Sequence, residues 1–263
     1  MIRRLAIWSL MAMFPCLAMA ECLPIEVGYL DQHRPPYWLG VGTTVPAVPG
    51  AGAELIRRFT ASAGCPAAFL RMPVLRIKPA VAAGEIDFGP MQASARGTPG
   101  IVFPLDKHGR LDRRRSIPMS IVVFVRAGDQ ASRGGRPFHY FHGRTLGTTL
   151  GSAYVGKLRE SGFLVDSGGV DVASNFEKLR LRRFDGFAVS LIAPGDMDSY
   201  VAAKYHGDIV RVAAPLLSDH IWLAASQKYY SRHPQRVEAM WDWLGTSGKK
   251  EFGELLSKYY DMH

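Results

Sequence analysis

Cysteine is scarce in this chain, with 3 among 263 residues. That excludes a small disulfide scaffold, and no CxxC pair is present for redox or zinc chemistry. Acid is the minority charge, 23 Asp and Glu against 32 Lys and Arg, for a formal net charge of +9. Charged residues of both signs make up only 21% against 48% hydrophobic, which excludes a disordered polyelectrolyte. A collagen-like fibre and a coiled coil are excluded on the same composition. Long apolar runs are missing beyond residue 20, so no later stretch reaches spanning length. Nucleophile elbow, Walker loop and GxGxxG are all absent. The length that remains suits one large domain, or two of about 100–150 residues each with real cores.

What is present begins at the amino terminus. Met1-Ile2-Arg3-Arg4 is basic, an apolar run follows from Leu5 to Ala20, and Ala18-Met19-Ala20 has a small-x-small form. The pattern predicts a signal peptide over residues 1–20, cut before Glu21. An uncleaved anchor is the weaker reading, because the run falls short of roughly 20 residues and Pro15 interrupts it. Cys16 follows Met13-Phe14-Pro15, without the small residue that lipidation needs. The mature chain is expected to be soluble and periplasmic. Cleavage takes 20 of the 263 residues, leaving 243, and two arginines but no acid from +9, leaving +7. It also leaves two cysteines, Cys22 and Cys65. In an oxidising compartment they are expected to pair, with two buried thiols as the alternative.

Periodicity supplies the organisation. Ile25–Leu30 alternates as a strand, a Pro/Gly-rich loop carries Tyr37-Trp38, and 53–63 places Leu55, Ile56 and Phe59 on one helical face. A strand over 67–70, a helix over 74–83 ending at Gly84, and a strand over 86–88 complete a β-α-β-α-β series, the rhythm of a parallel sheet. Cys22 precedes the first strand and Cys65 the second. Adjacent parallel strands begin at one edge, so the two sulfurs can meet and the disulfide is the better reading. An apolar strand at 120–126 precedes a loose basic stretch, a plausible crossing into a second lobe. A second series follows: a strand at 145–148, a helix opened by Gly151-Ser152, and a strand at 163–165. It continues with a helix capped by Ser174 and Glu177 and a strand at 185–189. The segments 83–88 and 182–187 faintly echo each other, each placing an aspartate where a helix hands over to a strand. A returning strand at 221–224 and helices at 234–244 and 249–260 are expected to pack on the first lobe. The predicted division is 21–126 for lobe 1, 127–218 for lobe 2, and 219–263 for the return to lobe 1. A cleft between the lobes is then the expected site.

Several pieces together resemble the family 3 extracellular solute-binding proteins, the type 2 periplasmic binding fold of amino-acid ABC importers. They are Val27-Gly28-Tyr29 with Pro35-Pro36-Tyr37-Trp38, then Gly52-Ala53-Glu54-Leu55-Ile56, then Ala83-Gly84-Glu85-Ile86-Asp87. Ser94-Ala95-Arg96 before Phe103-Pro104, and Leu146-Gly147 with Gly151-Ser152, complete the set. The resemblance covers nearly the whole mature chain and implies an α/β protein of two lobes, each a mostly parallel sheet flanked by helices. It also implies that Ser94 and Arg96 hold a ligand carboxylate, the guanidinium through two parallel hydrogen bonds. The usual spacing of that pair is one residue longer. Tyr37 and Trp38 match an aromatic pair that packs on the ligand, one of them expected in the core. Gly151 and Ser152 match the turn whose backbone N–H groups stabilise an anion. The family's amino-acid binders carry an acid near the position of Ser190, to pair with the ligand ammonium. Here Asp31 or Asp219 would have to substitute, which favours a carboxylate or other anionic solute over a standard α-amino acid.

The resulting expectation is a monomeric periplasmic protein that captures a small polar, carboxylate-bearing ligand for an ABC permease of the inner membrane, or for a membrane sensor. No cofactor, metal, catalytic residue or nucleic-acid partner is expected. His139 and His142 lack further ligands, and Arg113-Arg114-Arg115 with Arg180, Arg182 and Arg183 read as solvated faces. The alternatives are a dehydratase-like enzyme on the same fold and a ligand-free partner module. The enzyme would use a proton-transfer group from among Asp31, His33, Asp219 and His220.

Overall fold

The computed structural model describes residues 22–93, 97–129 and 137–260. The expected signal peptide, Ser94 and Arg96 lie outside the described residues. Strand β1 (Ile25–Leu30) buries Ile25, Val27 and Tyr29, as its alternation requires. Helix α1 (Ala51–Ala61) buries Leu55, Ile56 and Phe59 against it. Strand β2 (Ala67–Met72) runs parallel to β1, with Ile25 opposite Ala67 and Leu30 opposite Met72. Because the two strands start at one edge, the residues before them meet, and Cys22 and Cys65 form a disulfide with Cα atoms 5.0 Å apart. The expected pairing is borne out.

Helix α2 (Val74–Ala83) ends on Gly84, whose φ of 67° closes the last turn. Strand β3 (Phe88–Met91) then joins β1 in parallel. It starts two residues later than expected because Asp87 is used as a fastener. Its N–H donates to the Glu26 carbonyl at 2.9 Å, and its carboxylate accepts from the Glu26 N–H at 3.0 Å. Burial raises this carboxyl above its ordinary value, and the Glu26 bond only partly offsets that.

Strands β4 (Ile101–Val102) and β5 (Ile117–Arg126) follow, then helix α3 (Pro137–Phe141). The second series is β6 (Thr145–Thr149), α4 (Val155–Glu160), β7 (Leu164–Gly169), α5 (Val172–Arg180) and β8 (Gly186–Leu191). Here β6 is parallel to both β7 and β8. The expected cap of α5 is displaced: Asp171, not Ser174, is the N-cap. Its carboxylate accepts from the Ser174 N–H at 2.7 Å, and the Ser174 hydroxyl accepts from the Asp171 N–H at 3.2 Å. The helix therefore begins three residues earlier than Ser174 would set it. It ends at Arg180 because Arg182 turns left-handed, with φ 56°. Asp185 repeats the role of Asp87, donating to Thr145 O at 2.8 Å and accepting from Thr145 N at 2.8 Å. The internal echo thus has a register in which Asp87 matches Asp185, Gly84 matches Arg182 and Ile86 matches Phe184.

After helix α6 (Asp198–Tyr205) and strand β9 (Ile209–Arg211), strand β10 (Leu217–Ser226) returns through the middle of the sheet, whose order is β2-β1-β3-β10-β5-β8-β6-β7. The first five residues of β10 pair antiparallel with Ile117–Ile121 of β5, and Trp222 to Ala225 pair with β3. Residues 120–126 of β5 pair with β8 and β9, although the sequence places them with the first half. The chain therefore crosses between halves inside β5 and again inside β10. Helix α7 (Gln227–Arg232), helix α8 (Pro234–Trp243), a π-helical turn and helix α9 (Lys249–Tyr260) close the fold. The last two helices pack on α1.

Candidate ligand cleft

The loop after β1 is folded tightly enough to hold three side chains in place. Arg34 N–H donates to Trp38 O at 2.6 Å, while Tyr37 and Trp38 N–H groups donate back to Arg34 O at 3.0 and 2.9 Å. Trp38 stacks on Tyr29 at 5.1 Å and lies over Gly52, where an added Cβ would sit 2.7 Å from the indole. The glycine at the start of α1 is thus the room that the tryptophan occupies.

Arg34 reaches across to β8, where its Nη2 donates to the Ser190 carbonyl and to Ser190 Oγ, the latter at 2.7 Å. Among the described residues, its Nε is buried without a hydrogen-bond partner. Tyr37 makes the next bridge. Its hydroxyl donates to the Asp196 carboxylate and accepts from Ile192 N–H at 2.8 Å. Tyr260 at the end of α9 donates to the same carboxylate, which also accepts from Ala193 N–H at 2.8 Å. Burial first, and then the Asp196 charge, push the Tyr37 hydroxyl well above its ordinary value of 10.0. Farther round, Asp219 accepts from Lys157 Nζ on α4 and from Gln92 Nε2 at 2.9 Å.

These contacts close the two halves over a cavity of about 140 Å³. Gln32, His33, Arg34, Trp38 and Gln92 line it from one side, and Gly151, Ser152, Tyr154 and Ser190 from the other. A smaller chamber of about 60 Å³ adjoins it, sharing Arg34, Trp38 and Ser190 and walled by Leu55, Ile56, Leu223 and Phe252.

The structure sorts the expected site residues. Trp38, Gly151, Ser152 and Ser190 all line the central cavity. Tyr37 is buried at 5% exposure and borders only the smaller chamber. Gly151 and Ser152 do not open a helix: Gly151 has φ 78°, Ser152 N–H turns back to Thr149 O at 3.1 Å, and α4 begins at Val155. The turn is forced by contact with the other half, since a Cβ on Gly151 would sit 2.4 Å from Val74. A helix of six residues offers little dipole, so the expected anion grip by its N-terminus is corrected to a hydroxyl and backbone lining.

Asp31 lies off the cavity, bordering an outer depression with Val170 and Tyr200. Asp219 and His220 border another outer groove, where His220 Nδ1 bonds Ser116 Oγ at 2.8 Å. Burial, then Arg113, depress the His220 imidazole. Of the four proton-transfer candidates, only His33 reaches the central cavity. Arg34 was missed altogether. A signal existed, a charged residue immediately before Pro-Pro-Tyr-Trp, but an arginine in a loop reads as solvated.

Comparison with solved structures places this geometry. The glutamate-bound GluR0 ligand-binding core from Nostoc punctiforme superposes with a TM-score of 0.63 at 18% identity, covering 91% of this chain and 99% of that one. The fold is that of the two-lobed periplasmic binding proteins. Two more examples of this fold are similar. One is the arginine-bound substrate-binding protein AbpA of an amino acid ABC transporter from Streptococcus pneumoniae, with a TM-score of 0.65, 13% identity, and 91% and 94% of the two chains covered. The other is an ancestral arginine-binding protein bound to glutamine, with a TM-score of 0.65, 16% identity, and 90% and 97% covered. No family model and no curated protein matches the sequence. These two-lobed neighbours are binding proteins, and identity this low carries the fold.

Proposed function

We propose that the chain is an exported solute-binding protein, closing two lobes on a small carboxylate-bearing solute, an amino acid or related organic anion, for an ABC-type importer. The observation that carries this reading is the cavity walled by both halves, with Arg34 of one half bonded to Ser190 of the other. β5 and β10, within which the chain crosses from one half to the other, act as the hinge between the two lobes. Closure is driven by the contacts that a ligand makes with both walls. Amino-acid ABC transport among the structural neighbours supports the transport role. In this reading Ser94 and Arg96 supply further contacts to the ligand carboxylate. The residues of 1–20 direct export and are removed, and the protein binds without turning its ligand over. It works as a monomer with a membrane permease.

The test is a thermal-shift screen of amino acids and organic acids on protein refolded free of endogenous ligand, with mass spectrometry of any bound solute. At least one carboxylate is expected to raise the melting temperature and to be recovered unchanged. A flat screen removes the binding role, and a converted ligand makes the protein an enzyme. Amino-terminal sequencing of exported protein is expected to begin at Glu21.

A further inference from the structure

We propose that the cleft selects a small hydrophobic carboxylate that bears no ammonium group, with Arg34 as the specificity-determining residue. This rests on the solute-binding reading and narrows it.

Charge is the first argument. Among the described residues that line the central cavity, none is Asp or Glu, while Arg34 contributes a permanent cation. Of the nearby carboxylates, Asp31 borders the outer depression, and Asp196 and Asp219 are engaged elsewhere. Asp196 accepts from Tyr37, Tyr260 and Ala193, and Asp219 accepts from Lys157 and Gln92. An ammonium group entering here would lose its water, find no counter-charge and face a guanidinium.

The second argument is an unmet donor. Arg34 Nη2 is committed to Ser190, but among the described residues its Nε–H is buried and unpartnered. Arginine has donors only, so the group that completes it is an acceptor, and a carboxylate accepts most strongly. The third argument is shape. Arg34 and Trp38 stand where the 140 Å³ cavity meets the 60 Å³ chamber, whose walls include Leu55, Ile56, Leu223 and Phe252. An acid seated on Arg34 can place a short apolar tail in that chamber. The larger cavity matches a ligand of about benzene size or slightly more.

The experiment is calorimetric titration with three molecules on one carbon skeleton: 4-methylpentanoate, leucine, which adds an ammonium, and 4-methylpentanamide, which removes the charge. The carboxylate is expected to bind at least about tenfold more tightly than either relative. Arg34→Gln is expected to remove that preference with its melting temperature retained. Ser190→Ala, which removes the Oγ bond between halves but keeps the guanidinium and its bond to the carbonyl of residue 190, is expected to change affinity by less than about threefold. Equal losses from the two variants would make Arg34 a latch alone and overturn the inference. Leucine binding as tightly as 4-methylpentanoate, the amide doing so, or three silent titrations beside a positive solute screen, would overturn it while leaving the solute-binding reading in place. Silence in both the titrations and the screen would overturn both.

Discussion

The two halves of the sheet are built alike and fastened differently. Each is a β-α-β-α-β series, and each ties the start of its third parallel strand to the start of its first with an aspartate, Asp87 to Glu26 and Asp185 to Thr145. In the first half the remaining fasteners are a disulfide and the two C-terminal helices packed on the eleven-residue α1. The second half has the six-residue α4 in the place of α1. It is held instead by an aromatic cluster, with Phe176 against Phe124, Phe187 and Tyr205, and by Arg126, which donates to Leu179 O at 2.7 Å and Phe184 O at 3.0 Å. One topology is thus stabilised covalently and by added layers on one side, and by aromatic packing with side-chain hydrogen bonds on the other.

The largest expected effect falls on the covalent side. Reducing Cys22–Cys65, or replacing both by Ser, releases a constraint across a separation of 43 residues. By loop-closure entropy this costs about 4 kcal/mol. Urea unfolding measures the total, and hydrogen exchange locates it: protection is expected to fall in β1 and β2 and to hold in β6 and β7. An equal fall in both halves would break the comparison.

Next in size is the contact that joins the halves. Asp196→Ala removes the acceptor shared by Tyr37 and Tyr260, and charge-assisted bonds of this kind contribute about 1.5–3 kcal/mol each. X-ray scattering of the variant is expected to show a larger radius of gyration than the parent. The same bond gives a pH signature. The Tyr37 hydroxyl is raised above its ordinary 10.0 in the folded protein, so its stabilisation is fully present below that pH and is lost as pH rises beyond it. Alkaline melting curves of Tyr37→Phe are expected to be flatter than those of the parent. Asp185→Ala follows, at about 1–3 kcal/mol for an orphaned Thr145 N–H. Asp87→Ala is expected to cost less, because it also relieves the burial that raises the Asp87 carboxyl.

Much of this fold was legible in the sequence because it is written in local periodicity. β1, α2 and α9 begin and end where alternation, Gly84 and the apolar face of 249–260 place them. Even the disulfide could be read, since parallel pairing brings two strand starts together. The cleft was less legible, for a physical reason: its residues are defined by contact across the halves. Nothing local distinguishes Arg34 from a solvated arginine until Ser190 lies beside it. Gly151 looked like a helix start until Val74 was seen pressed against it. The boundary expected after Arg126 followed a change in composition, whereas the chain changes halves within β5, where composition is predominantly apolar and marks no break.

The smallest expected effect tests the finest point of the comparison, the register between halves. Gly84 and Arg182 occupy the same place, two residues before the matching Ile86 and Phe184, and both adopt left-handed backbone, with φ 67° and 56°. Glycine does so without strain, whereas an L side chain there pays a steric penalty from Cβ against the following carbonyl. Arg182 has little to offset it: its ion pair with Asp129 is 3.9 Å long and its side chain is 75% exposed. Arg182→Gly is therefore expected to raise stability by about 0.5–1 kcal/mol, the strain relieved exceeding the added chain entropy of glycine. Gly84→Ala is expected to lower it, since its Cβ would also meet the Lys228 side chain at 2.8 Å. Opposite signs in urea unfolding would establish that the two positions are structural equivalents and that only the first half carries the residue suited to the turn. A loss of stability in Arg182→Gly would show that the guanidinium does more for the second half than its exposure indicates, and the proposed register would lose its energetic support.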